Sequence, residues 1–336
     1  MQTAPILQPE LTRITISFKS LSILLGLTAL ALIWLNLNTG FLELTFQDFI
    51  SATANSEIAE LRINRVLAML MAGVSIPTSG FLLQEYFQNP LAGPSVLGIT
   101  SVASLSVALY IFLAQDAVFP EFLQNSFLSF SAVAGSVLLM LVLLAFSNRF
   151  QDKSFLIIFG FLVSALAGAI VSILQLYADN QSLKNYILWS FGANNSVTGS
   201  QIVILTLIVA AGLFLSFRSI KPLIGNSLGT QYAQSLGVNL TALKYLIIIA
   251  SSLLSGSVTA FLGPVLFIGI VIPHFSRMIY NPSKLWHQWI LNMILGILIM
   301  VLFSTVSEWT QFPLNVITSL FGIPVILTML LNRKNQ

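Results

Sequence analysis

The residues with most chemistry to offer are two histidines and two arginines. His274 and His287 are the only histidines in 336 residues, 13 positions apart and without the spacing of a zinc-binding helix, so no metal site is expected. Cysteine is absent, which removes thiolate nucleophiles, disulfides and sulfur ligands together. No Gly-x-x-x-x-Gly-Lys-Ser/Thr run occurs, so the chain has no phosphate loop with which to hydrolyse a nucleotide. An enzyme reading therefore rests on nothing positive, no catalytic residue is assigned and no cofactor is expected. Basic residues are scattered over short segments, which gives nucleic-acid binding no support. What remains is "ELRINRVLAML", where Arg62 and Arg65 stand three positions apart in a chain that is only 7% charged.

The elements that must carry these residues are apolar. Hydrophobic residues make up 56% of the chain and mean hydropathy is +0.91, which predicts an all-α polytopic membrane protein. A bilayer core of about 30 Å needs roughly 20 helical residues, and lipid leaves backbone polar groups no partner outside their own segment. Spans are expected near 20–37, 64–84, 95–114, 126–146, 155–178, 200–217, 240–260, 262–273, 288–306 and 314–331. Arg13 and Lys19 precede the first run as in a signal peptide, but no small-residue cleavage site follows it, so it reads as an uncleaved span.

Ten spans put both termini on one side. With the termini inside, 11 of the 14 Lys and Arg are cytoplasmic, and Arg62, Arg65 and Lys184 are outside. Arg62 and Arg65, at the end of an extracytoplasmic loop over 38–63, are thus the main exception to the positive-inside pattern. Away from their ends the spans hold no Asp, Glu, Lys, Arg or His, the groups that usually mark proton or ion pathways. Sodium sites built from carbonyls and hydroxyls keep an ion-coupled secondary transporter open as the alternative. Energy supplied by a separate chain is the reading favoured.

Small residues recur at four- and seven-residue spacing, as in Gly73 and Gly80, Ser164 and Gly168, or Ser252 and Gly256, and point to close helix packing. "GPSVLGI" from Gly93 is echoed by "GPVLFIGI" from Gly263, which reads either as chance or as two halves of an inverted repeat. The polar segment 216–240 predicts a short helix between Gly229 and Gly237, either a solvated connector or a handle for a partner.

Five segments in order, "RINRVLAMLMAG", "QEYFQNPLAGPSVLGI", "LGTQYAQSLGVN", "GPVLFIGIVIPHFSR" and "FPLNVITSLFGIPVIL", resemble the permease subunits of bacterial importers for iron chelates and cobalamin, the FecCD family of ABC transporters. The likeness runs from about residue 60 to 331, within a single permease domain over 1–336. It implies a ten-helix permease in the bacterial cytoplasmic membrane, with both termini cytoplasmic. Its partners would be a second permease copy or paralogue, a cytoplasmic ABC ATPase dimer that binds the ATP, and an extracytoplasmic substrate-binding protein. The cargo would be a metal chelate, a ferric siderophore first, with haem or cobalamin as further options.

Residue by residue, the resemblance implies ATPase coupling for Leu228, Gly229, Gln234, Ser235, Leu236 and Gly237, and more loosely for His274 and Arg277. For His274 a capping or packing role stays open. Asn89, Pro90, Gly93, Pro94, Gly98, Gly263, Pro264, Gly269 and Pro273 match structural positions of the family motifs. Arg62 and Arg65 match an RLPR-like pair that faces outward to carboxylates of the binding protein. Exposed pairs are worth only about 0–1 kcal/mol each, so steering and register would be their task. Read without the family, the same arginines reach to headgroups or offset Glu57 and Glu60.

The chain also departs from the pattern. Thr230, Gln231 and Gln234 stand where relatives carry acids and an arginine, "RINR" lacks the proline, and "QFPLN" lacks the acid usual beside Pro313, with Glu308 slightly upstream.

Overall fold

The structure is a computed structural model that describes residues 17–49, 55–113, 121–147, 153–192, 197–280 and 284–332. Arg13, Arg149, Arg333 and Lys334 of the expected charge pattern lie outside the described residues. The chain order is α1 (Phe18–Asn38), a 3₁₀ turn (Phe46–Phe49), α2 (Ser56–Phe87), α3 (Ile99–Leu113), α4 (Glu121–Ser147), α5 (Lys153–Tyr177), α6 (Asn180–Ser190), α7 (Gly199–Ser227), α8 (Thr230–Ser235), α9 (Leu240–Leu262), α10 (Ile268–Ile279), α11 (Leu285–Thr310) and α12 (Leu314–Asn332). Among the described residues, α1, α2, α5, α7, α9, α11 and α12 are long and apolar enough to cross a membrane, and α3, α4 and α10 contain shorter apolar stretches. Each expected span thus meets one helix, and α6 and α8 are additional. Asp179 starts α6 by accepting from the backbone N–H groups of Gln181 and Ser182.

Three boundaries differ from expectation for local reasons. Helix α2 starts at Ser56 rather than near residue 64, because Glu57, Glu60 and Arg62 lower hydropathy without opposing helix formation. Helix α10 runs over Ile268–Ile279 rather than 262–273, since Gly263 at φ +78° and Phe267 at φ +65° hold the chain in a turn. Helix α7 continues to Ser227, so much of the polar segment 216–240 is helix with Pro222 inside it.

Helix α2 is the axis of the bundle. In its most apolar stretch 78% of residues are buried, against 17% for α1 and 22% for α5 and for α12, which leaves those three facing outward. Its small residues permit the approach: a Cβ on Gly73 would come 2.6 Å from the Ile297 Cα of α11, and one on Gly80 would overlap the Gly269 carbonyl of α10. Prolines sharpen both contacts. Pro77 has no N–H to give the Gly73 carbonyl, and Pro273 has none for Gly269, so each carbonyl is left facing a glycine of the neighbouring helix, Gly296 and Gly80 respectively.

The two echoed stretches meet inside the bundle. A Cβ on Gly93 would lie 2.8 Å from Ile270 Cγ1, and one on Gly269 would lie 3.0 Å from Pro94 Cδ. Each stretch is the turn that leads into a helix, α3 in one case and α10 in the other.

Candidate functional site: the two polar ends of helix α2

At its first end, α2 carries Arg62 and Arg65 on one face, one turn apart, toward α1. The last turn of a helix leaves carbonyls short of backbone donors, and here the arginines add donors to those around the end of α1. Arg65 Nη2 donates to the carbonyls of Asn36 at 2.6 Å and Thr39 at 3.1 Å, and its Nε donates to Asn36 Oδ1 at 3.1 Å. Arg65 Nη1 pairs with Glu308 Oε2 of α11 at 3.0 Å. Asn36 completes the set by donating to Ser304 Oγ at 3.2 Å and Thr305 Oγ1 at 2.9 Å. Arg62 donates to the carbonyl of Leu37 at 3.0 Å and to that of Leu42.

Relative exposure is 5% for Arg62 and 3% for Arg65, so neither presents an outward-facing cation in this conformation. This corrects the geometry expected from the sequence: the early start of α2 sets both side chains inside a helix, against α1. Neither headgroup contact nor pairing with Glu57 or Glu60 describes them. Beside them Leu35, Asn38, Phe41, Glu308, Trp309 and Gln311 line an open cleft of about 420 Å³.

The other end of α2 repeats the chemistry with less burial. Arg277 of α10 pairs with Glu85 Oε1 at 2.8 Å and also donates to Gln84 Oε1. Gln84 Nε2 donates to the Ile270 carbonyl at 3.1 Å. The Asn226 side chain, fully buried in the last turn of α7, donates to the carbonyls of Glu85 and Tyr86, both at 3.3 Å, and the Asn226 backbone carbonyl accepts from Gln88 Nε2 at 2.9 Å.

Helix α8 follows at once. Gly229 at φ +109° and Gly237 at φ +79° bracket it, conformations that side-chain-bearing residues rarely adopt. It rests on α7 through Ala233, which is fully buried; a Cβ on Gly225 would lie 3.6 Å from the Ala233 Cβ and 3.1 Å from Val238 Cγ2. Its outer surface holds Gln234, Ser235 and Gly237, with Leu228 62%, Tyr232 53% and Leu236 59% exposed. The structure therefore gathers Leu228, Gly229, Gln234, Ser235, Leu236 and Gly237 on one projection. Arg277 lies with the α2 network instead, and His274, one turn earlier on α10, is half-buried.

The motif glycines and prolines shape turns. Asn89 Oδ1 accepts from the Leu91 N–H at 3.0 Å ahead of Pro90. Gly98 at φ +84° would bring a Cβ within 2.9 Å of the Gly160 carbonyl, and Gly263, just before Pro264, would bring one within 2.6 Å of the Trp189 carbonyl. No group of three metal-ligating side chains occurs among the described residues. Asn36, Gln84, Asn226 and Glu308 were missed as site residues. A polar side chain inside an apolar run was the available signal for Asn36 and Gln84.

Known proteins share this architecture. The model of the FecCD transport family matches residues 21–332. The hemin transport system permease protein HmuU of Yersinia pestis is 29% identical, over 94% of this chain and 97% of the relative. The vitamin B12 import system permease protein BtuC of Photorhabdus laumondii subsp. laumondii is 30% identical, over 85% and 84%. A solved metal-chelate type ABC transporter in an inward-facing conformation superposes with a TM-score of 0.80 at 25% identity, covering 94% of this chain and 99% of that one. PsaBC from Streptococcus pneumoniae, in complex with Fab, shares the fold at a TM-score of 0.60 and 16% identity. A polytopic helical chain matched by one family model over nearly its whole length, this protein belongs to the FecCD transport family.

Proposed function

We propose that this chain is the membrane-spanning permease of an ABC importer that carries a metal chelate inward, with ATP bound and hydrolysed by separate subunits. The observation that carries the reading is α8, a two-glycine projection with Leu228, Tyr232 and Leu236 exposed, in a chain that has no phosphate loop. Apolar side chains on a short surface helix fit the groove of a partner protein. The positive-inside pattern supports placing α8 and both termini in the cytoplasm of a bacterium, with the Arg62 end outside. A second copy or a paralogue would complete the pathway.

The substrate-binding protein would dock at the Arg62 end. Because Arg62 and Arg65 are occupied by α1 and Glu308, we assign them to holding residues 37–42 in place for that docking. Within the metal-chelate class, haem and vitamin B12 are named for the relatives, and a ferric siderophore is the third candidate. Reconstitution tests the reading: uptake of haem, cyanocobalamin or a ferric hydroxamate into proteoliposomes is expected only with added ATPase, binding protein and ATP. Uptake driven by an ion gradient across vesicles holding this chain alone overturns it.

A further inference from the structure

We propose that Gln84, Glu85, Asn226 and Arg277 form a relay that passes movement of α8 to α2 and α10. The inference rests on the reading of α8 as the ATPase contact and names the positioning residues behind it. Each step is a contact between neighbouring parts. Ala233 of α8 packs on Gly225 in the last turn of α7, so displacement of α8 is displacement of that turn. The side-chain amide of Asn226, the next residue, binds the Glu85 and Tyr86 carbonyls, while its backbone carbonyl accepts from Gln88, so the turn is fastened to the end of α2 mainly through that amide. Glu85 and Gln84 then hold Arg277 in the last turn of α10, while Gln84 also holds the Ile270 carbonyl in its first turn.

Two points define a rigid line. Helix α10 is fixed to α2 where Gly80 meets Gly269 and again where Glu85 meets Arg277, eight residues or about 12 Å farther along α10. The pair then moves as one body. Asn226 is the place where that body receives the motion of α7 and α8. Polar bonds suit this position because they reform between discrete partners, whereas the glycine contacts permit little sliding.

The chain has no cysteine, so a single introduced thiol can be labelled without background. The experiment uses the complex of this chain with its ATPase in nanodiscs, carrying a fluorophore at Thr230→Cys on α8 or at Met278→Cys on α10. In the parent, ATP with vanadate is expected to change both signals. In Glu85→Gln and in Asn226→Ala, the change at position 230 should persist and that at 278 should be lost. Glu85→Arg combined with Arg277→Glu should restore it.

A response at 278 that survives both single variants overturns the relay. So does equal loss at both positions, the signature of general destabilisation, which thermal unfolding of each variant also reads. If Glu85→Gln does not insert, Asn226→Ala and Asn226→Ser carry the same comparison. Absence of any ATP-dependent change at 230 in the parent is a different failure and strikes at the ATPase reading itself.

Discussion

The two ends of helix α2 use the same chemistry, an arginine paired with a carboxylate on a neighbouring helix, in different surroundings. Arg65 and Glu308 have side chains 2% and 10% exposed, and Arg65 Nε and Nη2 are bonded to the Asn36 side chain and to the carbonyls of Asn36 and Thr39. Glu85 and Arg277 are 20% and 28% exposed; the Gln84 side chain accepts from Arg277, and the Asn226 amide donates to the backbone carbonyl of Glu85. A buried, fully bonded pair is costly to break because either partner alone is an unpaired charge out of water. A partly hydrated pair can part and let water take its place. Burial thus makes the tie at one end of α2 costlier to break than the tie at the other.

The sharpest way to break this comparison is Arg65→Ala, which removes the ion pair to Glu308 and the donors to the Asn36 and Thr39 carbonyls. It should lower stability by about 3–5 kcal/mol, read from thermal unfolding in detergent. A loss below about 1 kcal/mol would make the two ends equivalent. Asn36→Leu removes the side-chain link from Arg65 to Ser304 and Thr305 while keeping bulk, and should cost about 1–3 kcal/mol in the same measurement. Glu85→Gln keeps a hydrogen-bonding side chain at the hydrated end and should cost about 1 kcal/mol or less. Smallest on this scale is the double variant Leu228→Ser with Tyr232→Ser. Unfolding should shift by no more than about 0.5 kcal/mol, while recovery of the ATPase on affinity purification of this chain falls at least tenfold.

Much of the architecture was legible as hydropathy, because each membrane helix must satisfy its own backbone and so announces itself by length. The helix between Gly229 and Gly237 was legible too, since glycine is the residue that turns the chain through positive φ at both of its ends. The first turns of α2 were not. Hydropathy counts Glu57, Glu60, Arg62 and Arg65 against a span, although all four suit a helix and only their neighbours decide whether they are buried. The spacing of Arg62 and Arg65 placed them on one helical face, but their partners lie at the end of α1, just beyond it and on α11, and the Arg65 to Glu308 pairing joins an early helix to one near the end of the sequence. Glu85 and Arg277 are separated by 192 residues, and nothing local in either segment names the other.

The glycine contacts of α2 also bear on the order in which the protein is made. Gly73 and Gly80 find their counterparts at Gly296 and Gly269, in helices synthesised long afterwards. Until α10 and α11 have entered the bilayer, the small-residue face of α2 has only lipid against it, and lipid fills such a surface poorly. The axis of the bundle is thus among the first helices inserted and among the last to be enclosed. A ribosome halted near residue 262 would leave a chain with α1 to α9 synthesised and α2 still open on the side where α10 and α11 belong.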